Sequence, residues 1–130
     1  MKWRTIVFMA SALVFVLSRP VASQDWVDIK DPQELRALHS NKTFKCQVRE
    51  TPFVEHYRAD GKGILAYSTE QRLACTWEVR GTDQVCVSDE RGTRCWQFQR
   101  SKINPDQYVK RCPLDAYTVI FKVEDGVPSF

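Results

Sequence analysis

Hydrophobic and polar residues alternate with a period of two along most of the chain from Thr43 onward, which is typical of strands with one buried face. The clearest case is the segment from Leu73 to Phe98, where apolar side chains recur at every second position and two turn signals interrupt the alternation. The pattern predicts three antiparallel strands joined by two tight turns.

The second of these turns predicts a disulfide bond. If Asp89–Gly92 forms a four-residue turn, Cys86 lies directly opposite Cys95 on the neighbouring strand. Opposed residues of an antiparallel pair are close enough for a disulfide. Val85 and Val87 then point to the core, and Cys86 points away from it.

A hairpin is also predicted before this ribbon. Asp60-Gly61 lies between two apolar runs, and a dipeptide of this kind favours the primed turns that require positive φ. A two-residue turn at this position pairs Tyr57 with Ile64 and Glu55 with Ala66. After the ribbon, the pattern predicts weaker strands at Tyr108–Lys110 and Tyr117–Val123.

One short helix precedes the strands. Asp31 is placed to cap its first turn, Pro32 occupies the first helical position, and Glu34 completes a capping box. The helix ends at His39–Asn41 after about two turns and is too short to be stable without packing on the rest of the protein.

The order of these elements predicts the fold class. About seven strands in meander order after one helix indicate a mainly β protein, a strongly curved antiparallel sheet that closes partly or wholly into a small barrel. Closure removes the exposed edges that an open meander would leave.

Several of these segments resemble one group of proteins. The Leu-rich helix, the aromatic strand that ends in Asp60-Gly61, and the segments Trp77–Val87 and Arg94–Trp96 are similar to small exported proteobacterial proteins of unknown function with a lipocalin-like β fold. The resemblance covers about residues 31–100. It implies a lipocalin-like barrel or half-barrel and a periplasmic or secreted location, and it carries no catalytic residue.

The beginning of the chain predicts a signal peptide. Lys2 and Arg4 precede an apolar run of 12 residues, Ile6–Leu17, which is shorter than the ~20 residues needed to span a bilayer. Cleavage is expected after Ser23, with Ala22 as the alternative. Residues 24–130 then form a single β domain with no stable membrane span.

Removal of the signal peptide changes the charge. The full chain has a formal net charge of +3, and Lys2, Arg4 and Arg19 account for that excess because residues 1–23 contain no acid. The domain that remains has a net charge of zero, so charge gives no support to a nucleic-acid partner.

All 5 cysteines lie after the signal peptide, which indicates disulfides and an oxidising compartment. Because 5 is odd, at least one cysteine is free or paired with another molecule. Besides Cys86–Cys95, we expect a Cys46–Cys112 bridge, with Cys75 buried and free. The other pairings of these three cysteines remain open, as does a reactive or dimer-forming thiol.

Signatures of enzymes and metal sites are missing from the sequence. The 2 histidines, His39 and His56, are not spaced as metal ligands, and no nucleophile motif surrounds any serine or cysteine. The sequence therefore predicts no catalytic residue, no metal and no cofactor. His56 alternates with Glu55 and Tyr57 and is expected on the outer face.

Aromatic residues on the core face allow two interpretations. They either fill the core or line a cleft that holds a small apolar ligand, with Arg58 and Arg94 at its rim. The candidate ligand-lining residues are Phe44, Tyr57, Trp77, Trp96 and Phe121.

Two functions are therefore expected from the sequence. The first is an exported, non-enzymatic binding module of the bacterial cell envelope, whose partner is a small apolar ligand or an envelope protein. The second is an inhibitor of an exported protease, with the segment Gln24–Asp31 as the inserting peptide.

Overall fold

The protein is built from antiparallel strands that follow one another along the chain. The computed structural model describes residues 25–114 and 117–130, so the predicted signal peptide lies outside the described residues. Within the described part, the elements are β1 (Trp26–Asp28), α1 (Pro32–His39), β2 (Lys42–Val48), β3 (Thr51–Tyr57), β4 (Lys62–Ala66), β5 (Arg72–Arg80), β6 (Gln84–Asp89), β7 (Gly92–Ser101), β8 (Gln107–Cys112) and β9 (Tyr117–Asp125).

The strands close into a barrel. Each strand from β2 to β8 pairs antiparallel with the next one, and β9 pairs back with β2, which completes a ring of eight strands. This confirms the predicted mainly β, lipocalin-like meander with one short helix before it, and the barrel is closed rather than half-open. β1 is an additional strand that pairs with the end of β7, beyond the last residue that β6 reaches.

The predicted core faces are confirmed for the best-patterned strands. Phe44 and Cys46 of β2 and Cys75 and Trp77 of β5 are buried, and the residues between them are more exposed, apart from Thr43 at the start of β2. Val85 pairs with Trp96 across β6 and β7, as predicted from the turn. Period-two alternation therefore separates the inside of the barrel from the outside.

Helix α1 begins as predicted and packs onto the barrel. The Asp31 side chain accepts a 3.0 Å hydrogen bond from the backbone N–H of Gln33, and Pro32 is the first helical residue. Glu34 does not complete the capping box, because its carboxylate pairs with Arg100 of β7. The helix is therefore held at its first turn by an ion pair to the barrel wall as well as by its cap.

The hairpin between β3 and β4 differs from the prediction by one residue. Tyr57 pairs with Gly63 and Glu55 with Leu65, rather than with Ile64 and Ala66. The turn is one residue longer than predicted because Gly61 takes the left-handed conformation (φ 88°) after a tight turn, as in three-residue hairpin loops. The shift buries Leu65 and places Ile64 on the outer wall.

The predicted disulfide is confirmed. Cys86 and Cys95 lie opposite each other on β6 and β7 and are joined by a disulfide. The bridge closes a short loop with a sequence separation of 9 residues, for which chain entropy predicts a stabilisation near the lower end of ~2–4 kcal/mol.

The prediction of a Cys46–Cys112 bridge is wrong. Cys46 carries a free, buried thiol, as Cys75 does. Cys46 pairs with Phe121 of β9, and Phe121 pairs with Tyr108 of β8, which lies four residues before Cys112. Four residues of strand span about 13 Å, roughly twice the Cα separation that a disulfide tolerates.

The end of the barrel beside α1, which we call the closed end, is filled around a histidine. The His39 ring is fully buried, and the ring centroids of its four aromatic neighbours lie 4.8–5.3 Å away. Its Nδ1–H donates a 2.7 Å hydrogen bond to the carbonyl of Leu35, and no described residue bonds to its buried Nε2. The neighbouring rings belong to Phe44, Tyr57, Trp77 and Phe98.

In the described part of the chain, no helix has the length and apolar character needed to cross a membrane.

Removing the disulfide is expected to lower stability without changing the fold. A variant with Cys86→Ser and Cys95→Ser should have an unfolding free energy about 2 kcal/mol lower, because without the cross-link the unfolded chain has more conformational entropy. Thermal melts followed by circular dichroism measure the loss, and the β signal at low temperature should be retained. A reductant should lower the melting temperature of the parent protein and leave that of the variant unchanged; equal effects on both would contradict the assignment.

Burial of His39 predicts acid sensitivity. Burial lowers the pKa of His39 from 6.5 to about 3, although the hydrogen bond to Leu35 acts in the opposite direction. Between these values the unfolded chain binds a proton that the folded chain does not bind, so stability is lost as the pH falls from about 6.5 to about 3, by up to about 1.4 kcal/mol per pH unit.

Chemical denaturation at a series of pH values tests this prediction. His39→Phe keeps a ring in the core and should remove this slope from the stability profile. His56→Gln is the matched control, because His56 lies half-buried on the outer wall and should contribute far less. The same profile for the parent protein and His39→Phe would contradict the prediction.

Candidate functional site

The end of the barrel opposite α1 is open. The turns that surround it join β2 to β3, β4 to β5, and β6 to β7, and two adjoining cavities of about 480 and 170 Å³ lie between them. The larger volume is in the range of small-molecule sites. We call this region the open mouth; its lining includes Val48, Arg49, Phe53, Glu55, Tyr67, Arg91, Arg94, Trp96 and Lys110.

Aromatic rings form the walls of the open mouth. Phe53 of β3 and Tyr67, which follows β4, have ring centroids 5.5 Å apart. Trp96 of β7 lies near two cations, with the Lys110 ammonium 4.6 Å and the Arg94 guanidinium 5.9 Å from the ring centroid. These rings give the cavity apolar surfaces edged by positive charge.

A buried ion pair forms the floor of the open mouth. Glu55 and Lys110 have side chains that are only 5% and 1% exposed, and the Lys110 ammonium donates to Glu55 Oε1. The Tyr57 hydroxyl donates a 2.9 Å hydrogen bond to the same oxygen, and the Cys46 thiol lies 3.7 Å from it. We call these four side chains the polar floor.

The electrostatics of the polar floor keep the Tyr57 hydroxyl and the Cys46 thiol protonated and Lys110 charged. Burial alone would lower the pKa of Lys110, but the Glu55 carboxylate raises it, and the net shift is upward. Burial, and after it the charge of Glu55, raises the pKa of both the Tyr57 hydroxyl and the Cys46 thiol. The floor therefore contains one carboxylate, one ammonium and two neutral hydrogen-bond donors.

Arginines lie at the rim of the open mouth. Arg91 donates to Asp89 at 2.9 Å and to the Tyr67 hydroxyl at 3.0 Å, so the β6–β7 turn is tied to the aromatic wall. The hydrogen bond from Arg91 lowers the pKa of Asp89. Arg49 is exposed in the β2–β3 turn, where its φ is 54°.

The predicted ligand-lining residues divide between the two ends. Trp96 lines both cavities of the open mouth. The other four pack in the closed-end core and line none of these cavities, and Phe44 stacks on Phe121 with centroids 4.4 Å apart. Phe44, Tyr57, Trp77 and Phe121 therefore fill the barrel, because α1 brings His39 among them. Arg94 lies at the mouth as predicted, but Arg58 lies in the β3–β4 loop at the closed end.

Sequence reasoning missed the ion pair of the polar floor. Glu55 lies between Phe53 and Tyr57 on the period-two face of β3, and Lys110 alternates with Tyr108 and Cys112 on β8. The sequence alone therefore shows one charged residue on the inward face of each of these two strands. That the two charges meet depends on the barrel closing, because their strands are not neighbours in the sheet.

The histidines do not form a metal site. His56 lies on the outer wall as predicted, where its Nδ1 is 2.8 Å from the Thr43 hydroxyl, and His39 is in the closed-end core. Across residues 25–114 and 117–130, no group of three or more potential ligands is arranged to hold a metal ion.

The amino-terminal segment is part of the barrel. Trp26–Asp28 forms β1 along β7, and Ile29 is buried in the core with its backbone N–H bonded to the carbonyl of Phe98. Gln99 donates a 2.7 Å hydrogen bond to Asp28 as well. In this conformation the segment predicted as an inserting peptide is bonded to β7 of the same chain.

Comparisons of the chain with models of known protein families, with curated protein sequences and with solved structures gave no match.

The polar floor makes a prediction about stability. Lys110→Met should lower the unfolding free energy by about 3–5 kcal/mol, because it leaves the Glu55 carboxylate buried without its partner. Combining Lys110→Met with Glu55→Gln should restore most of the loss, since no uncompensated charge remains. Urea unfolding of the single and double variants measures this coupling.

A surface ion pair provides the control. Lys45 and Glu124 are 2.9 Å apart and each more than half exposed, so Lys45→Met should change stability little. A double variant at the floor that is no more stable than Lys110→Met would show that the pair is not coupled as described.

Proposed function

We propose that this protein is an exported, non-enzymatic binding module of the bacterial cell envelope and that its ligand is a small molecule held in the open mouth. The proposal includes membership of the group of small exported lipocalin-like proteins that the sequence resembles, and a periplasmic or secreted location after removal of residues 1–23. The observation that carries it is the unequal filling of the barrel interior, which is packed with aromatic rings around His39 at the closed end and open between Phe53, Tyr67 and Trp96 at the other.

The construction of the open mouth supports this proposal. The pocket of about 480 Å³ combines aromatic walls with charged groups at its floor and rim, and its volume is in the range of sites for small ligands. Phe53 and Trp96 belong to strands of the closed barrel, so these two walls are preformed. A preformed site loses little conformational entropy when a ligand binds.

The chemistry of the polar floor supports a binding role rather than catalysis. The thiolate is the nucleophilic form of cysteine, and burial and the Glu55 carboxylate raise the pKa of the Cys46 thiol. Lys110 is held as an ammonium by Glu55, so its amine is not a nucleophile either.

The alternative function, inhibition of an exported protease through residues 24–31, has no structural observation in its favour. Deleting residues 24–30 would remove β1 and the buried Ile29 from the barrel. A loss of inhibition on deletion would then follow from damage to the fold as readily as from loss of a docking peptide.

Native mass spectrometry of protein exported from its host and purified without reductant tests whether a ligand is carried. Extra mass that disappears on denaturation is the expected result. The bare mass of residues 24–130, less two hydrogens for the single disulfide, shows that no ligand was retained, and the dye titration below then decides.

The titration uses anilinonaphthalenesulfonate, a dye that fluoresces in apolar sites. Phe53→Ala should weaken dye binding about tenfold, because it removes one aromatic wall of the open mouth. Val54→Ala is the matched control, since Val54 is the next residue of β3 and faces outward. No dye binding, or equal weakening by both substitutions, would overturn the proposal.

A further inference from the structure

The polar floor has hydrogen-bonding capacity that the protein itself does not use. Three contacts of Glu55, from Lys110, Tyr57 and Cys46, converge on Oε1. No described residue donates a hydrogen bond to Oε2, and Glu55 lines both cavities of the open mouth. This oxygen belongs to a side chain that is only 5% exposed, so water or a ligand that enters the cavity must supply its donor.

Lys110 supplies the complementary capacity. An ammonium has three N–H donors, and in this site one is directed at Glu55 Oε1 while the charge lies over the Trp96 ring. The side chain is 1% exposed and lines the larger cavity. The floor therefore offers an acceptor and a donor next to each other.

We propose that the polar floor recognises the hydroxyl group of a small aromatic alcohol, a phenol in the simplest case. A hydroxyl is both donor and acceptor, so one oxygen can donate to Glu55 Oε2 and accept from Lys110. The ring then lies between the side chains of Phe53, Tyr67 and Trp96, which offer flat apolar surfaces. This inference rests on the proposed function, because it assigns a ligand class to the open mouth.

The charge of the floor also determines which ligands it excludes. A hydrocarbon of the same shape would cover Glu55 Oε2 without donating to it. The carboxylate would then lose its hydration and form no hydrogen bond in its place, which is unfavourable. A methyl ether can accept from Lys110 but has no hydrogen to donate to Glu55. Discrimination between an alcohol and its methyl ether is therefore the signature of this site.

The experiment compares phenol with anisole, its methyl ether. Each compound is titrated into the isotopically labelled protein and followed by the amide resonances of the open mouth. We expect phenol to bind at least tenfold more tightly than anisole, because one hydrogen bond to a charged acceptor distinguishes them. The affected amides should belong to residues such as Phe53, Tyr67 and Trp96.

A charge-free floor provides the decisive variant. Glu55→Gln combined with Lys110→Met should bind the two compounds with similar affinity, because the charged acceptor and the ammonium donor are both gone. Lys45→Met combined with Glu124→Gln removes an exposed ion pair on the outer wall and should keep the preference of the parent protein. Spectra of the folded variants establish that the barrel is intact.

The outcomes separate this inference from the proposed function. Equal binding of phenol and anisole at the open mouth, or an unchanged preference in the charge-free variant, would overturn hydroxyl recognition and leave the binding module standing. If neither compound shifts the resonances of the open mouth, hydroxyl recognition fails, and the dye titration decides on the binding function separately.

Discussion

Closing eight strands into a ring fixes the width of the interior, and the rest of the structure depends on how that interior is filled. An eight-stranded barrel is wide enough for side chains and little more. In this protein α1 adds Leu35, Leu38 and His39 to the aromatic rings at one end, where the core is solid. No such element covers the other end in the described chain, and the space there remains open between Phe53, Tyr67 and Trp96.

The polar floor marks the boundary between these two regions. Its ion pair is held by contacts that cross the barrel, because Glu55 and Lys110 come from strands that are not adjacent. Removing charges from water is costly, and a buried ion pair is weak support for stability by itself. In the function that we propose, the pair serves to recognise the ligand of the open mouth.

Local regularities made much of the fold predictable from sequence. The alternation in β2 and β5, the cap at Asp31, and the turn that aligns Cys86 with Cys95 each depend on residues that are close in the chain. The predictions that failed, and the ion pair that was missed, depend on the exact length of a turn or on contacts between residues that are far apart in the chain. Asp60-Gly61 fits two turn lengths, and the Cys46–Cys112 pairing and the meeting of Glu55 with Lys110 depend on how the strands are arranged around the ring.

The placement of the cysteines has a consequence for how the chain acquires its covalent bond. In an oxidising compartment, an unfolded chain with 5 cysteines can form many wrong pairs. Cys86 and Cys95 belong to a single hairpin, and hairpins form within microseconds, long before a disulfide forms. Once the ring has closed, Cys46, Cys75 and Cys112 are all buried. Barrel closure therefore shields the Cys46 and Cys75 thiols from thiol–disulfide exchange, and in an oxidising compartment a chain that closed slowly would be open to wrong pairings.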